Sequence, residues 1–272
     1  MTKLAYDPAK IKVRLTESES EIHASQALRY KVFYEEFGAK PNEEMAREKR
    51  DIDEYDAVTD HLVVLDEDKP EGAEQIIGTY RLLRRAEAEK HGRFYTSDEY
   101  DIQSLLDNKP DLLELGRSCV LEEYRTRPVL QKLWEGIAHY VADHNIGLMF
   151  GCASLHGTDI NELSEQLSYL YHYHKAPDEL CPRALDERFV DMNIHSKDDL
   201  DAKAAFMSLP PLIKGYLRLG AYIGDGAVID EQFNTTDVCI ILPAAKVAEK
   251  YVRHYERKTQ KSIPAGEKVS AS

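Results

Sequence analysis

Residues 111–132 read DLLELGRSCVLEEYRTRPVLQK. Within them, 112–121 is an apolar strand that carries Glu114 and Arg117, and it runs through a short basic turn into a helix announced by Thr126 and Pro128. A carboxylate and a guanidinium on an otherwise oily strand are costly to bury unless each has a partner or a task. Glu114 and Arg117 are therefore the first candidates for chemistry. They stand three apart, which ideal alternation places on opposite faces, so two unrelated ion pairs are the plain structural alternative. The helix at 129–144 sets Val129, Leu130, Leu133, Trp134, Ile137, Ala138 and Val141 on one side, a stripe that packs firmly on a sheet.

Upstream, 11–15 alternates as a short strand. Ser18 and Glu21 suit a capping box for a helix with Ile22, Leu28, Val32 and Phe33 as its apolar stripe, and Gly38 ends it. The charged stretch 42–60 is expected to be a loop, and strands at 61–66 and 75–83 are joined by the turn-rich DEDKPEG. Downstream come a strand at 147–154, a helix at 158–171, an insertion of turns and short helices at 176–209, and a last strand at 238–242. A basic helix at 244–258 follows, and 259–272 is a polar tail expected to be disordered. This order predicts an α/β domain with a central mixed, mostly antiparallel sheet flanked by helices.

Thirty-five Lys plus Arg against forty-nine Asp plus Glu leave 272 residues with a net charge of -14, which disfavours a general nucleic-acid binder. The basic residues still cluster: Arg81, Arg84, Arg85, Lys90 and Arg93 form one island, and Arg117, Arg125, Arg127 and Lys132 another, so local positive potential survives. Four widely spaced cysteines without a CxxC pair read as reduced core thiols. Lys3, Asp7 and Lys10 interrupt any apolar leader, and no apolar run approaches the ~18 residues that span a bilayer. A cytoplasmic protein is expected.

Four pieces in fixed order, LRYKVFYEEFG, DIDEYDAVTDHLVV, GTYRLL and ELGRSCV, resemble the acyl-homoserine-lactone synthase branch of the GNAT-like acyltransferases. The match falls on Arg29 and Phe33 of the first helix, Asp53 and Asp56 of the loop, Arg81 of a strand, and Glu114 with Arg117. One position departs from that branch. Where the lactone synthases place a tryptophan shortly after the first helix, this chain has Gly38, Ala39 and Lys40. Beyond residue 147, PPLIKGYLRLGAYI and FNTTDVCIIL resemble instead the related ornithine N-acyltransferases, the lyso-ornithine lipid synthases. The likeness spans 21–242, and this second branch fits more of it.

The resemblance implies one GNAT-like domain over 1–258 that moves a (3-hydroxy)acyl chain from acyl carrier protein to the α-amine of L-ornithine, the first step of ornithine lipid synthesis. It implies no cofactor beyond the acyl carrier co-substrate and no nucleic-acid partner. At most weak peripheral contact with the inner membrane face is expected, through the apolar side of 244–258. Two readings stay open beside it: a lactone synthase using S-adenosylmethionine, and a non-catalytic GNAT-like module that captures an acyl carrier or lipid.

Aminolysis of a thioester needs a deprotonated amine, a polarised carbonyl and a place for the leaving thiol. At pH 7, deprotonation costs about 1 kcal/mol for an α-amine and about 4.6 kcal/mol for a lysine-like amine, so the α-amine is the easier nucleophile and the charged side chain is left as a handle. On the resemblance, Asp53 and Asp56 would be counter-ions for that handle, and Glu114 with Arg117 would form the catalytic pair, Glu114 orienting the α-amine or relaying its proton. Arg29 or Arg81 would hold the carboxylate, and Phe33 would touch the acyl chain. The turn EEYRTRPVLQK has no glycine to cradle a pyrophosphate, but Arg125 and Arg127, with Arg84, Arg85 and Lys132, suit the single phosphate of a carrier's phosphopantetheine arm. His172 to Lys175, HYHK, completes no known ligand spacing, so no metal is expected. Cys119 reads as an inert core thiol, and GAYIGDG lacks the context of a dinucleotide site.

Overall fold

The computed structural model describes residues 6–107 and 111–247. Nine strands among them form one sheet: β1 (Ile11–Leu15), β2 (Asp60–Asp66), β3 (Ile76–Arg84), β4 (Tyr100–Asp101), β5 (Asp111–Val120), β6 (Ile146–His156), β7 (Arg183–Ala184), β8 (Tyr222–Asp230) and β9 (Thr235–Pro243). Their order is β1-β2-β3-β5-β6-β9-β8-β7-β4, parallel at β5–β6 and β7–β8 and antiparallel elsewhere. The expected mixed, mostly antiparallel sheet is what the chain builds.

The helices are α1 (Glu19–Tyr30), α2 (Glu43–Glu48), α3 (Arg85–His91), α4 (Gln103–Leu106), α5 (Arg127–Asp143), α6 (Ser164–His174), α7 (Ala202–Ser208) and α8 (Pro211–Leu219). The apolar stripe of α5 packs with Leu62, Leu82 and Leu113 on one sheet face, and α8 joins it there through Ile213 and Leu217. On the opposite face, α1 sets Leu28 against Val63 and Leu65, while Phe94, Tyr100 and Ala88 of α3 cover Leu112, Phe150 and Ile241. Ser18 caps α1 by accepting from the Glu21 N–H. α1 does not stop at Tyr30. It widens into a π-helix over Lys31–Glu36, and Gly38 turns the chain away at φ +77°.

The sheet parts along one seam. β5 and β6, the parallel pair joined through α5, are laddered only as far as Glu114↔Phe150. At the vertex stands Gly151, where an added Cβ would lie 2.2 Å from the Leu115 carbonyl oxygen. Only glycine lets the strands meet there before they diverge.

Several elements differ from the sequence expectation. The 42–60 stretch is not a plain loop, since it contains α2 and a 3-10 turn at Glu54–Ala57. α6 begins at Ser164 rather than 158. β8 is hidden in the sequence by its glycines: a Cβ on Gly224 would meet the Pro182 oxygen at 2.8 Å, and one on Gly226, at φ +84°, would meet the Phe189 ring at 2.5 Å. The expected helix at 244–258 lies outside the described residues beyond Val247, as does the 259–272 tail. Among the described residues no helix is long and apolar enough to cross a membrane.

Candidate active site

Where β5 and β6 diverge, a chamber of about 300 Å³ opens between them. Leu115 to Val120 form one wall and Cys152 to Ser154 the facing one; Phe33, Phe37, Leu130 and Leu212 give it apolar sides. A concave, mostly apolar space with a few polar groups is the usual form of a small-molecule site.

Glu114 and Arg117 both line this chamber, which regular alternation forbids. The register explains it. Arg81 pairs with Gly116 and Thr79 with Cys119, so β5 carries one extra residue at that point, and Arg117 takes a left-handed φ of +51°. This conformation costs a non-glycine residue about 1–3 kcal/mol and needs a surrounding that holds it. That surrounding is explicit. The guanidinium lies between the Tyr95 and Phe233 rings, 4.8 and 4.7 Å from their centroids, and donates from Nε to Asp51 and from Nη2 to Asp53, both at 3.1 Å.

Asp51 and Asp53 belong to a closed frame. Arg29 Nε donates to Asp51 at 2.7 Å and its Nη2 to Asp56 at 2.9 Å. Arg81 Nη1 reaches Asp53 at 2.5 Å and Asp56 at 3.3 Å, Tyr34 donates to Asp51 at 2.9 Å, and Gln26 donates to Asp56 at 2.9 Å. Three guanidiniums thus face three carboxylates. Burial works against the carboxylate charges, but the arginines outweigh it: all three acids are held below their ordinary range, Asp56 at about 2.

Two expectations are corrected by this frame. Arg29, expected to clasp a substrate carboxylate, is fully buried and away from the chamber, with its Nε and Nη2 bonded to Asp51 and Asp56. Asp53 and Asp56, expected as counter-ions for a substrate ammonium, already hold arginines and do not line the chamber. Asp51 was missed, although its signal was present in the spacing of the three aspartates in RDIDEYD.

Glu114 is buried and accepts from the Tyr95 N–H at 2.9 Å, the Thr96 N–H at 2.6 Å and the Thr96 hydroxyl at 2.5 Å. One acceptor position remains on Oε2. Burial raises its pKa, and the three donors oppose that shift. Through these bonds Glu114 also fixes Tyr95, the ring on which Arg117 lies.

A second group of acids, unforeseen from the sequence, stands toward the β8–β9 end. Asp237 lies opposite Ser154 in register and lines the chamber with Asp230 and Thr235. Behind it, Glu99 accepts from the Cys152 thiol at 3.2 Å, and that thiol sits 3.7 Å from the Thr96 hydroxyl. Burial pushes Glu99, Asp237 and Cys152 all upward. Donor atoms of Glu99, Cys152 and Asp237 lie within 4.8 Å of one another, close enough for a metal ion; within the trio the Cys152 thiol donates to Glu99, and Asp237 stands outside that bond.

Of the residues expected at the carrier, Arg125 lines the chamber, pairs with Glu36 and lies 5.1 Å from the Phe37 centroid. Arg127 is exposed at the start of α5 and holds no ion pair among the described residues. Lys132, on the same helix, pairs with Glu135 at 2.9 Å. Arg84 and Arg85 are elsewhere. Arg84 is in register with Leu113, and the strand from there to Val120 is about 23 Å long, so neither can share a phosphate with Arg125. They hold Asp60 at 3.6 Å and Glu89 at 2.8 Å instead. His172 and His174 have partners in the His195 carbonyl and the Tyr169 hydroxyl, and Cys119 is buried with its thiol pushed up.

Residues 28–135 match the acetyltransferase (GNAT) domain family. Curated proteins named L-ornithine N(alpha)-acyltransferase resemble the chain over most of its length. The one from Brucella abortus (strain 2308) is 48% identical over 248 residues, 90% of this chain and 88% of its own. That from Rhizobium meliloti (strain 1021) is 46% identical over 250 residues, 91% and 84% of the two chains. That from Rhodobacter capsulatus is 42% identical over 258 residues, 94% and 99%.

Proposed function

The chain belongs to the L-ornithine Nα-acyltransferase family of GNAT-fold enzymes, and from that premise we propose that it transfers a (3-hydroxy)acyl chain from acyl carrier protein to the α-amine of L-ornithine, the first step of ornithine lipid synthesis. The observation that carries the reading is the chamber at the β5–β6 seam, apolar on one side and lined by Glu114, Arg81 and Arg117 on the other.

In this reading the thioester enters between the diverging strands, its acyl chain against Phe33, Phe37 and Leu212. The β5 edge beyond Glu114, released from its ladder with β6, presents backbone N–H groups to the thioester carbonyl. The neutral α-amine attacks the carbonyl carbon; the C–N bond forms, the C–S bond breaks, and the amine proton leaves with the thiol. Glu114, through its open Oε2 position, orients the amine and relays that proton. Arg117, with Arg81, aligns the amino acid, while Arg29, Asp51, Asp53 and Asp56 act as positioning residues. No resident cofactor is required by this chemistry.

Arg125 on the chamber wall and exposed Arg127 at the start of α5 suit a phosphopantetheine phosphate and an acidic carrier surface, which favours carrier protein over free CoA. Cytoplasmic location, with weak peripheral contact at the inner membrane face, belongs to the same reading, and flotation with anionic vesicles tests it. The decisive experiment follows thiol release and product mass with acyl carrier thioester or acyl-CoA and a panel of amino acids. Ornithine should be the preferred acceptor, and turnover with the carrier should be faster and fall with salt. Equal rates with both donors at every ionic strength would remove the carrier, and no amide with any pair would remove the reading.

A further inference from the structure

Charges around the chamber do not cancel. The three arginines of the frame match its three aspartates, and Arg125 matches Glu36. At the β8–β9 end, Arg188 stands 3.8 Å from Glu99 as the paired cation of a group that also holds Asp230 and Asp237, with Arg117 acting on Asp237 through space. Asp230 is partly satisfied, accepting from the N–H groups of Gln232 and Phe233 at 2.8 and 3.0 Å. Asp237 is less so: only 7% exposed, it lines the chamber with an Oδ1 that has no hydrogen-bond partner. The hydroxyls of Ser154 and Thr235 lie near enough to favour its charge, yet Thr235 Oγ1 closes no well-formed bond of its own and also stands on the chamber wall. Buried polar atoms are seldom left unpaired, and two side by side facing a cavity mark a place for a donor from outside.

We propose that Asp237, with Thr235 beside it and Glu99 and Asp230 behind, receives the side-chain ammonium of the amino-acid acceptor and sets the preference for a dibasic amino acid. The proposal rests on the acyltransferase reading above and replaces Asp53 and Asp56, whose charges are spent on arginines, as partners of that handle. The chamber is polarised in the required sense. Arg81 and Arg117, which unlike Arg29 line the chamber and whose aspartate bonds use Nη1 of the first and Nε and Nη2 of the second, stand on the β3–β5 side for a carboxylate, and Asp237 stands across on β9 for a cation, with the thioester seam between them. With Glu99 pushed up to about 8 and Asp237 to about 6 by burial, the two fit a carboxyl pair that shares one proton near pH 7 and keeps one charge to meet a cation.

The test compares ornithine with norvaline, which lacks only the side-chain ammonium, as acceptors for the wild-type enzyme and for Asp237→Asn, with KM and kcat read separately. A charge-assisted contact of this kind predicts that kcat/KM for ornithine falls about 10- to 100-fold more than that for norvaline, mainly through KM. A structural role would lower both acceptors alike, and that result overturns the proposal. Should Asp237→Asn fail to fold, Asp230→Asn is read in the same way, with a smaller collapse of the ornithine preference expected and an unchanged preference counting against the idea. Wild-type enzyme that acylates ornithine only while a divalent metal is present, losing ornithine binding to a chelator and regaining it with zinc, also overturns it in favour of a metal at Glu99, Cys152 and Asp237. Absence of amide with every acceptor defeats the acyltransferase reading itself, and this proposal with it.

Discussion

The carboxyl groups of Asp51 and Asp56 and those of Glu99 and Asp237 are about equally hidden from water, yet the protein treats them in opposite ways. The first two share Arg29, Arg81 and Arg117 with Asp53, and all three acids are held ionised below their ordinary range. Glu99 has Arg188 at 3.8 Å, Asp237 has no ion pair among the described residues, and both are pushed upward. Burial acts in the same direction on every one of them; the supply of cations decides the outcome. Next to the seam, then, stand one group that is electrostatically complete and one that is not. Completeness suits a scaffold that must hold Arg117 in a strained turn, and incompleteness suits a surface that meets a charged ligand.

The largest effect should come from breaking the complete group. Arg29→Met leaves Asp51 and Asp56 buried without their main cation and should cost about 3–5 kcal/mol in urea unfolding. A variant that melts with the wild-type midpoint would show that the frame is not what holds this region. Arg117→Lys keeps the charge but loses the fork to Asp51 and Asp53 and the stack on Tyr95 and Phe233, so about 1–3 kcal/mol of stability should go, and kcat/KM should drop about 10- to 100-fold. Full activity in a folded Arg117→Lys protein would reduce Arg117 to a bystander. Smallest in stability is Asp237→Asn, expected within about 1 kcal/mol of wild type at pH 7, since a neutral amide replaces a group that burial already drives toward neutrality.

pH separates the two groups by sign. The acids of the frame have lowered folded pKa values, so their stabilisation is present above the ordinary value near ~4 and is lost as pH falls through the folded values, about 2 for Asp56. Glu99 and Asp237 have raised folded pKa values, so their contribution is full below ~4 and declines as pH rises through the raised ones. The deficit of Arg29→Met should therefore shrink toward acid, and Asp237→Asn should gain on wild type toward alkali. Denaturation series for the two variants between about pH 3 and 9 should slope in opposite directions, and parallel slopes would erase the distinction drawn between the groups.

The sequence made β1, β2, β3, β5, β6, β9 and α5 legible because their apolar residues alternate or recur with the period of the element, and burial rewards that period directly. β8 was illegible because it has glycines where Pro182 and Phe189 leave no room for side chains, and a missing side chain carries no period. The site was half legible. Glu114 stood out as a carboxylate on an oily strand, and Asp237 in TTDVCIIL is the same signal at a strand's edge, where polar residues are ordinary. The common face of Glu114 and Arg117 could not be read at all. A bulge depends on how two strands pair, and nothing local in ELGRSCV records the extra residue.

The π segment at Lys31–Glu36 carries a consequence for how this enzyme's chamber can change. Phe33 and Phe37 form part of its apolar wall, and the wide turn between them, closed by the Phe37 N–H on the Val32 carbonyl at 3.1 Å, holds one residue more than an α turn would. Removing a single codon at Glu35 would let the wide turn close as an α turn with the Phe37 N–H still on Val32, whereas removing a second, with no wide turn left to absorb it, would swing Phe37 about 100° around the axis, away from Phe33, while Arg29 upstream keeps its place. The contour of that wall is thus written in the count of residues as much as in their identity. Lineages of such enzymes have a route to new acyl chains by insertion and deletion, one that leaves the charged frame untouched.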